Sequence, residues 1–128
     1  MSCIKTITVA ITTSSGGAFT EDTIPVSGRV LQYRYVPDGS SPLDTGADLD
    51  IVGKTTGVIV ANQDNIGTSA FTKAPRQAVH DVTGAASLYA AGGEPVETFI
   101  YVNEALTVTI ANGGNTLSGT LHIWIGGL

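Results

Sequence analysis

The sequence predicts an all-β domain, a β-sandwich or jelly-roll-like barrel of about seven to eight short, mostly antiparallel strands. Three observations carry this. Apolar and polar residues alternate with period two in several runs, clearest in Leu106–Ala111 and Thr116–Ile125. Gly, Pro and Asn clusters separate the runs at short spacing. No stretch keeps the 3.6-residue apolar period of a helix for more than about one turn.

Taken in order, Ile4–Thr13 opens the chain as a strand, with Ile7, Val9 and Ile11 on one face and Thr6, Thr8 and Ala10 on the other. Ser14-Ser-Gly-Gly17 breaks it. Phe19–Val26 is a weaker extended segment in which Pro25 marks an edge or bend. Arg29–Val36 follows. Simple alternation places Leu31, Tyr33 and Tyr35 on one face and Val30, Gln32, Arg34 and Val36 on the other. Pro37–Asp48 is a loop, because two prolines and two glycines exclude a helix or central strand. Leu49 and Ile51 alternate with Asp48 and Asp50, so a short strand with an acidic outer face leaves the loop. After the Gly53-Lys54 turn, Thr56–Ala61 pairs back.

Asn62–Ala74 reads as a polar, turn-rich excursion outside the core. Residues 75–93 read as strand and loop, with one helical turn at Ala78–Val82 the alternative. Thr98–Val102 is apolar on both faces, Phe99 and Tyr101 against Ile100 and Val102, which is the pattern of a central strand covered on each side. The last two runs flank Asn112-Gly-Gly-Asn115, residues that tolerate positive φ, and are expected to form a hairpin. Its second face would hold Thr107, Thr109, Thr120, His122 and Trp124.

A length of 128 residues suits one domain spanning 1–128. A chain of this size buries roughly 65–70% of its unfolded surface, so it needs no disulfide staples. The single Cys3 has no internal partner and no activating neighbours, and is expected to be an idle thiol. The net charge of −5 argues against direct nucleic-acid binding; the basic residues Lys5, Arg29, Arg34, Lys54, Lys73 and Arg76 are scattered rather than striped. Only 13% of residues are charged, against about 25% in an average domain. The polar surface is therefore built from Thr, Ser, Asn and Gly. Such a surface suits contact with protein subunits, and equally a stable extracellular-type β domain. Met1-Ser-Cys-Ile-Lys is no basic-then-apolar leader and no run is long enough to span a bilayer, so production and use without membrane export are expected.

The residues that carry chemistry elsewhere form no signature here. Asp38, Asp44, Asp48 and Asp50 are the densest carboxylates, but their spacing is not an EF-hand loop and no closing Glu follows. A solvated strand face that blunts an exposed edge is the simpler reading, with no bound metal. His80-Asp81 and His122 lack a Gly-x-Ser-x-Gly nucleophile elbow, and two distant histidines without cysteines make no zinc site. Glu94, Glu97 and Glu104 are too common a constellation to signal a glycosidase. Gly113-Gly114 is not a phosphate cradle, because neither a helix nor Lys-Ser/Thr follows. Accordingly no catalytic, cofactor-binding or metal-binding residue is assigned, and no enzyme activity is expected. A lectin-like site around Trp124 stays open.

Several short strings bear a likeness to a known group. Gly28-Arg-Val-Leu-Gln-Tyr-Arg-Tyr35, Pro42-Leu-Asp-Thr-Gly-Ala-Asp-Leu-Asp50, Thr55-Thr-Gly57, Ala74-Pro-Arg-Gln77 and Asp81-x-x-Gly84 precede the closing strand pair. In this order the chain resembles the small all-β virion structural proteins of tailed bacteriophages, in particular head decoration or cement proteins. The resemblance implies a non-enzymatic protein on the capsid surface, made in the host cytoplasm. It also implies the major capsid protein as partner, and a homo-oligomer, trimer or dimer, on the shell. It brings no catalytic residues. A neck, tail or spike component, or a carbohydrate-binding β-sandwich, are the alternatives.

Overall fold

The computed structural model describes residues 3–127. Ten strands follow one another: β1 (Ile4–Thr12), β2 (Phe19–Asp22), β3 (Val26–Pro37), β4 (Asp48–Gly53), β5 (Ile59–Gln63), β6 (Phe71–Lys73), β7 (Arg76–Ala78), β8 (Glu97–Glu104), β9 (Leu106–Ala111) and β10 (Ser118–Gly126). No helix occurs among the described residues, so residues 75–93 are strand and loop as expected. Two antiparallel sheets make a sandwich. The first runs β1-β10-β3-β8-β7, with β6 also paired to β3; the second runs β2-β9-β4-β5. Of the short strands, β6 comes from the stretch read as an excursion and β7 from the stretch read as strand and loop.

The core lies between the sheets. Ile7, Val9 and Ile11 of β1 and Leu121, Ile123 and Ile125 of β10 face Leu49 and Ile51 of β4 and Leu106, Val108 and Ile110 of β9, all buried. Each comes from a period-two run with its polar partners turned outward, which is what a sheet covered on one face requires. Tyr33 and Tyr35 are the largest of these side chains. Burial pushes the Tyr35 hydroxyl up to about 12, and it donates to the Gly67 carbonyl at 3.2 Å.

The terminal hairpin does not form. β9 lies in the second sheet between β2 and β4, and β10 lies in the first between β1 and β3. The reason is physical. Two runs with buried alternate residues satisfy the same pattern whether they lie side by side in one sheet or face each other across a core. Asn112-Gly-Gly-Asn115 is therefore a corner between sheets. Positive φ at Asn112 (57°), Gly114 (90°) and Thr116 (55°) turns the chain there. Backbone bonds from Gly113 N–H to Gly17 O (2.8 Å) and from Asp44 N–H to Gly113 O (3.0 Å) clasp it.

Four more expectations are corrected. In β3 the pairing slips: Trp124 faces Gln32 while Ile125 faces Val30, so Leu31 is an extra residue. This bulge lets Val30 and Tyr33 both point inward, although simple alternation sets them on opposite faces. β4 is an interior strand, so Asp48 and Asp50 line an outer face and blunt no edge. β8 buries Ile100 and Val102, but among the described residues no layer covers its other face, where Tyr101 is 52% exposed. Phe99 is covered there by the guanidinium groups of Arg29 and Arg76, 5.2 and 4.2 Å from its ring centroid. Finally, 62–74 contributes to the core: Ile66 is buried and Phe71 packs on Tyr33 and Tyr35. The 37–48 loop likewise sends in Leu43 and Ala47.

Candidate interaction surface

Charge is distributed unevenly over the strands, with β8 of the first sheet carrying Glu97 and Glu104. The strands of the second sheet carry Glu21, Asp22, Asp48 and Asp50 and no Lys or Arg. In the first sheet, β1, β10 and β3 carry Lys5, Arg29, Arg34 and His122 and no Asp or Glu. Registers across these strands set the outward residues in rows. Thr8, His122, Arg34 and Thr72 form one row, flanked by Thr6-Trp124-Gln32 and Ala10-Thr120-Val36. Within the first row Thr8 Oγ1 and His122 Nδ1 are 3.2 Å apart, and Arg34 Nη1 donates to Thr72 Oγ1 at 2.8 Å. The His122 and Trp124 rings lie 5.9 Å apart at 35°.

Of the outward residues the sequence grouped together, only Thr120, His122 and Trp124 lie here. Thr107 and Thr109 lie on the acidic sheet, Thr107 donating to Asp22 Oδ1 at 2.8 Å. Among the described residues no second sheet covers Trp124. It is half-buried among its neighbours with the outer layer open.

The other singled-out residues are dispersed. Asp38 accepts main-chain N–H bonds from Ser41 (2.8 Å) and Ser40 (3.1 Å), which hold its carboxyl below the usual carboxylate range. Asp48 accepts from Asn65 N–H and the Asn112 amide; Asp50 lies between Thr109 and Asn62. The Asp44 carboxyl fills the space that a Cβ on Gly114 would need. Among the described residues no three His, Cys, Asp or Glu side chains are grouped as a metal site would require. Asp81 is spent on its own turn, accepting from the Thr83 hydroxyl and from the Thr83 and Ala85 N–H groups, and these hold it below the usual range. It is not turned to His80. Glu97 and Glu104 sit at opposite ends of β8, roughly 23 Å apart along a strand, too far for a glycosidase pair. Cys3 is exposed. An open depression of about 350 Å³ is lined by Ser27, Gly28, Tyr101, Val102 and Asn103.

Glu104 has a structural task. It accepts from the Thr56 hydroxyl, from Thr56 N–H at 3.0 Å and from Thr55 N–H. These bonds, the hydroxyl's first, depress its pKa from 4.5. Asp22, bonded to Lys54 and then Thr107, is also depressed, from 3.8. A group whose folded pKa lies below its unfolded value stabilises the fold above the unfolded pKa. That stability is lost as pH falls through the folded value. The melting temperature is therefore expected to hold steady at neutral pH and to fall below about pH 4.5. Glu104→Gln should flatten the acid limb of a melting series; an unchanged limb would contradict this role.

No protein-family model matches this chain, and no curated protein sequence matches it. Among solved structures it is similar to FlhE, with a TM-score of 0.41 and 12% identity over 97% of this chain and 96% of that one. It is also similar to a chain from the Bacillus endospore appendages, described as a novel family of disulfide-linked pili. There the TM-score is 0.38 and the identity 16%, over 98% of this chain and 87% of that one. At these scores neither likeness assigns a role to any residue.

Proposed function

We propose that this chain is a non-enzymatic virion structural protein, a capsid decoration or cement protein that binds the outer lattice of a tailed-phage head and stabilises it. The observation that carries the reading is that β1, β10 and β3 carry no Asp or Glu, whereas β2 and β4 carry Glu21, Asp22, Asp48 and Asp50. This leaves a broad acid-free face of Thr6, Thr8, Thr120, His122 and Gln32 around the single cation Arg34. Uncharged hydroxyl and amide groups lose less on leaving water than charged groups do. That face suits a subunit lattice, with the acidic sheet turned to solvent. The partner is the major capsid protein, and the site of action is the capsid surface. Many copies on one shell multiply a modest single-site affinity. The resemblance of several sequence strings to those of phage head proteins supports the same reading.

Sedimentation of the purified protein with expanded empty capsids of its phage tests this. Saturable, stoichiometric binding is expected, with capsid melting raised on saturation. Thr120→Glu, which puts a carboxylate on the acid-free face, should weaken it. Absence of binding at all lattice sites would overturn the reading and leave a neck, tail or spike role.

Trp124 favours one further reading. Its ring, beside His122 and bordered by Thr6 and Gln32, is an aromatic surface ringed by hydrogen-bonding groups, as a sugar platform requires. A glycan array would retain a sugar in a Trp124-dependent way if the chain is a lectin.

A further inference from the structure

The four-stranded and six-stranded sheets end in edges of very different kinds. β2 is four residues long and carries Glu21 and Asp22. β7 has three residues, and β5 has five with an irregular register beside it. Each is short, charged or irregular, the usual ways of preventing an edge from pairing with another chain. β1 is none of these. It has nine residues, regular register from Ile4 to Thr12, no proline, no bulge and one charge, Lys5. Among the described residues nothing pairs with its outer side.

The free main-chain groups of that edge can be assigned. Thr13 N–H bonds to Leu117 O and Gly127 N–H bonds to Cys3 O, so residues 3 and 13 direct their groups toward β10. The register between them is unbroken. By alternation the odd residues face β10, and Ile4, Thr6, Thr8, Ala10 and Thr12 point their N–H and C=O groups to the open side.

We propose that β1 pairs antiparallel with β1 of a second copy of this chain, about a two-fold axis at Thr8. The strand is self-complementary in that register. Thr8 faces Thr8, Thr6 faces Ala10 and Ile4 faces Thr12, and each facing pair exchanges two main-chain hydrogen bonds through the groups left free in the monomer. Ile7 falls opposite Val9 on the core side, so the two cores join. The Thr-rich outer faces become one surface, and two six-stranded sheets become one continuous sheet. Lys5 lies opposite Ile11 rather than another cation, and β2, with Glu21 and Asp22, is the second-sheet strand beside this edge. An isologous contact of this kind closes as a dimer and cannot propagate. The inference needs only the protein itself, and stands whether or not a capsid is its partner.

Light scattering on the purified full chain is expected to give twice the 13.1 kDa chain mass. Thr8→Pro removes a donor that has no partner within the monomer, and proline is tolerated at such an edge position. It should yield a folded monomer. Thr8→Lys sets two cations opposite each other at the axis; it should be monomeric at low salt and regain the dimer at high salt. In a Cys3→Ser/Thr8→Cys variant, mild oxidation should link two chains, because Cα atoms in a hydrogen-bonded pair lie about 5.5 Å apart, within disulfide reach. A monomeric wild type overturns the proposal. So does a dimer that persists in both Thr8→Pro and Thr8→Lys. If the wild type is monomeric and Thr8→Pro abolishes only capsid binding, the edge serves a foreign strand and self-pairing is wrong.

Discussion

Gly28→Ala is expected to destabilise the protein by about 3–4 kcal/mol, the sum of left-handed backbone strain and overpacking against a rigid neighbour. Gly28 has φ +139°, where an L side chain is strained. Its position in the sheet makes matters worse. β3 runs between β10 and β8, and just past the bulge at Leu31 the β10 backbone closes on it. A Cβ at Gly28 would collide with the Gly126 carbonyl oxygen, lie 3.0 Å from the carbonyl carbon and crowd the Ile125 methyl at 3.3 Å. None of these atoms is the end of a flexible side chain except the last. The backbone of β10 would have to retreat, and β10 is the strand through which β1 joins the sheet. Thermal melting should show a fall of about 10 °C or more. Gly39→Ala is the matched comparison: its Cβ meets nothing within 4 Å and its φ is not left-handed. It should melt with the wild type. Equal behaviour of the two variants would show that the close approach of β3 and β10 relaxes freely.

That pair of glycines shows what a sequence can and cannot carry. Both stand in the chain as Gly, and only the pairing of strands tells them apart. The alternation of Leu49 and Ile51 with Asp48 and Asp50 was legible, because period two depends on nothing beyond the strand itself. So were the inward sets of β1, β9 and β10. What alternation does not encode is the identity of the neighbour, so β9 and β10 read as a hairpin although they lie across the core from one another. The bulge at Leu31 inverts the pattern within β3, and no residue type marks it. Leu43, Ala47 and Ile66 enter the core from loops, where no period exists to reveal them. The interaction surface was half legible for the same reason. Thr120, His122 and Trp124 share a face along one strand, but the acid-free run of β1, β10 and β3 emerges only once each strand is assigned to its sheet.

The corner that sends β9 and β10 to opposite sheets rests on Thr13, and Thr13→Val is expected to remove about 2–3 kcal/mol through two orphaned backbone groups. Among the described residues Thr13 is the buried polar side chain, 3% exposed. Its hydroxyl donates to the Gly114 carbonyl at 2.7 Å and accepts from Leu117 N–H at 2.9 Å. One side chain thus closes both ends of the Gly114–Leu117 turn. Valine keeps the volume and the methyl that packs toward Gly113, so no cavity confuses the result. It leaves a carbonyl and an N–H of a half-buried turn without their side-chain partner. Thr13→Ser tests the converse: the hydroxyl stays, the methyl goes, and the loss should be about 1 kcal/mol. Denaturant melts distinguish the two, and hydrogen exchange locates the cause. The Leu117 amide should lose protection in Thr13→Val while Leu121 and Ile123 in the middle of β10 keep theirs. If Thr13→Val melts with the wild type, the backbone bonds from Gly113 to Gly17 and from Asp44 to Gly113 hold the corner without it.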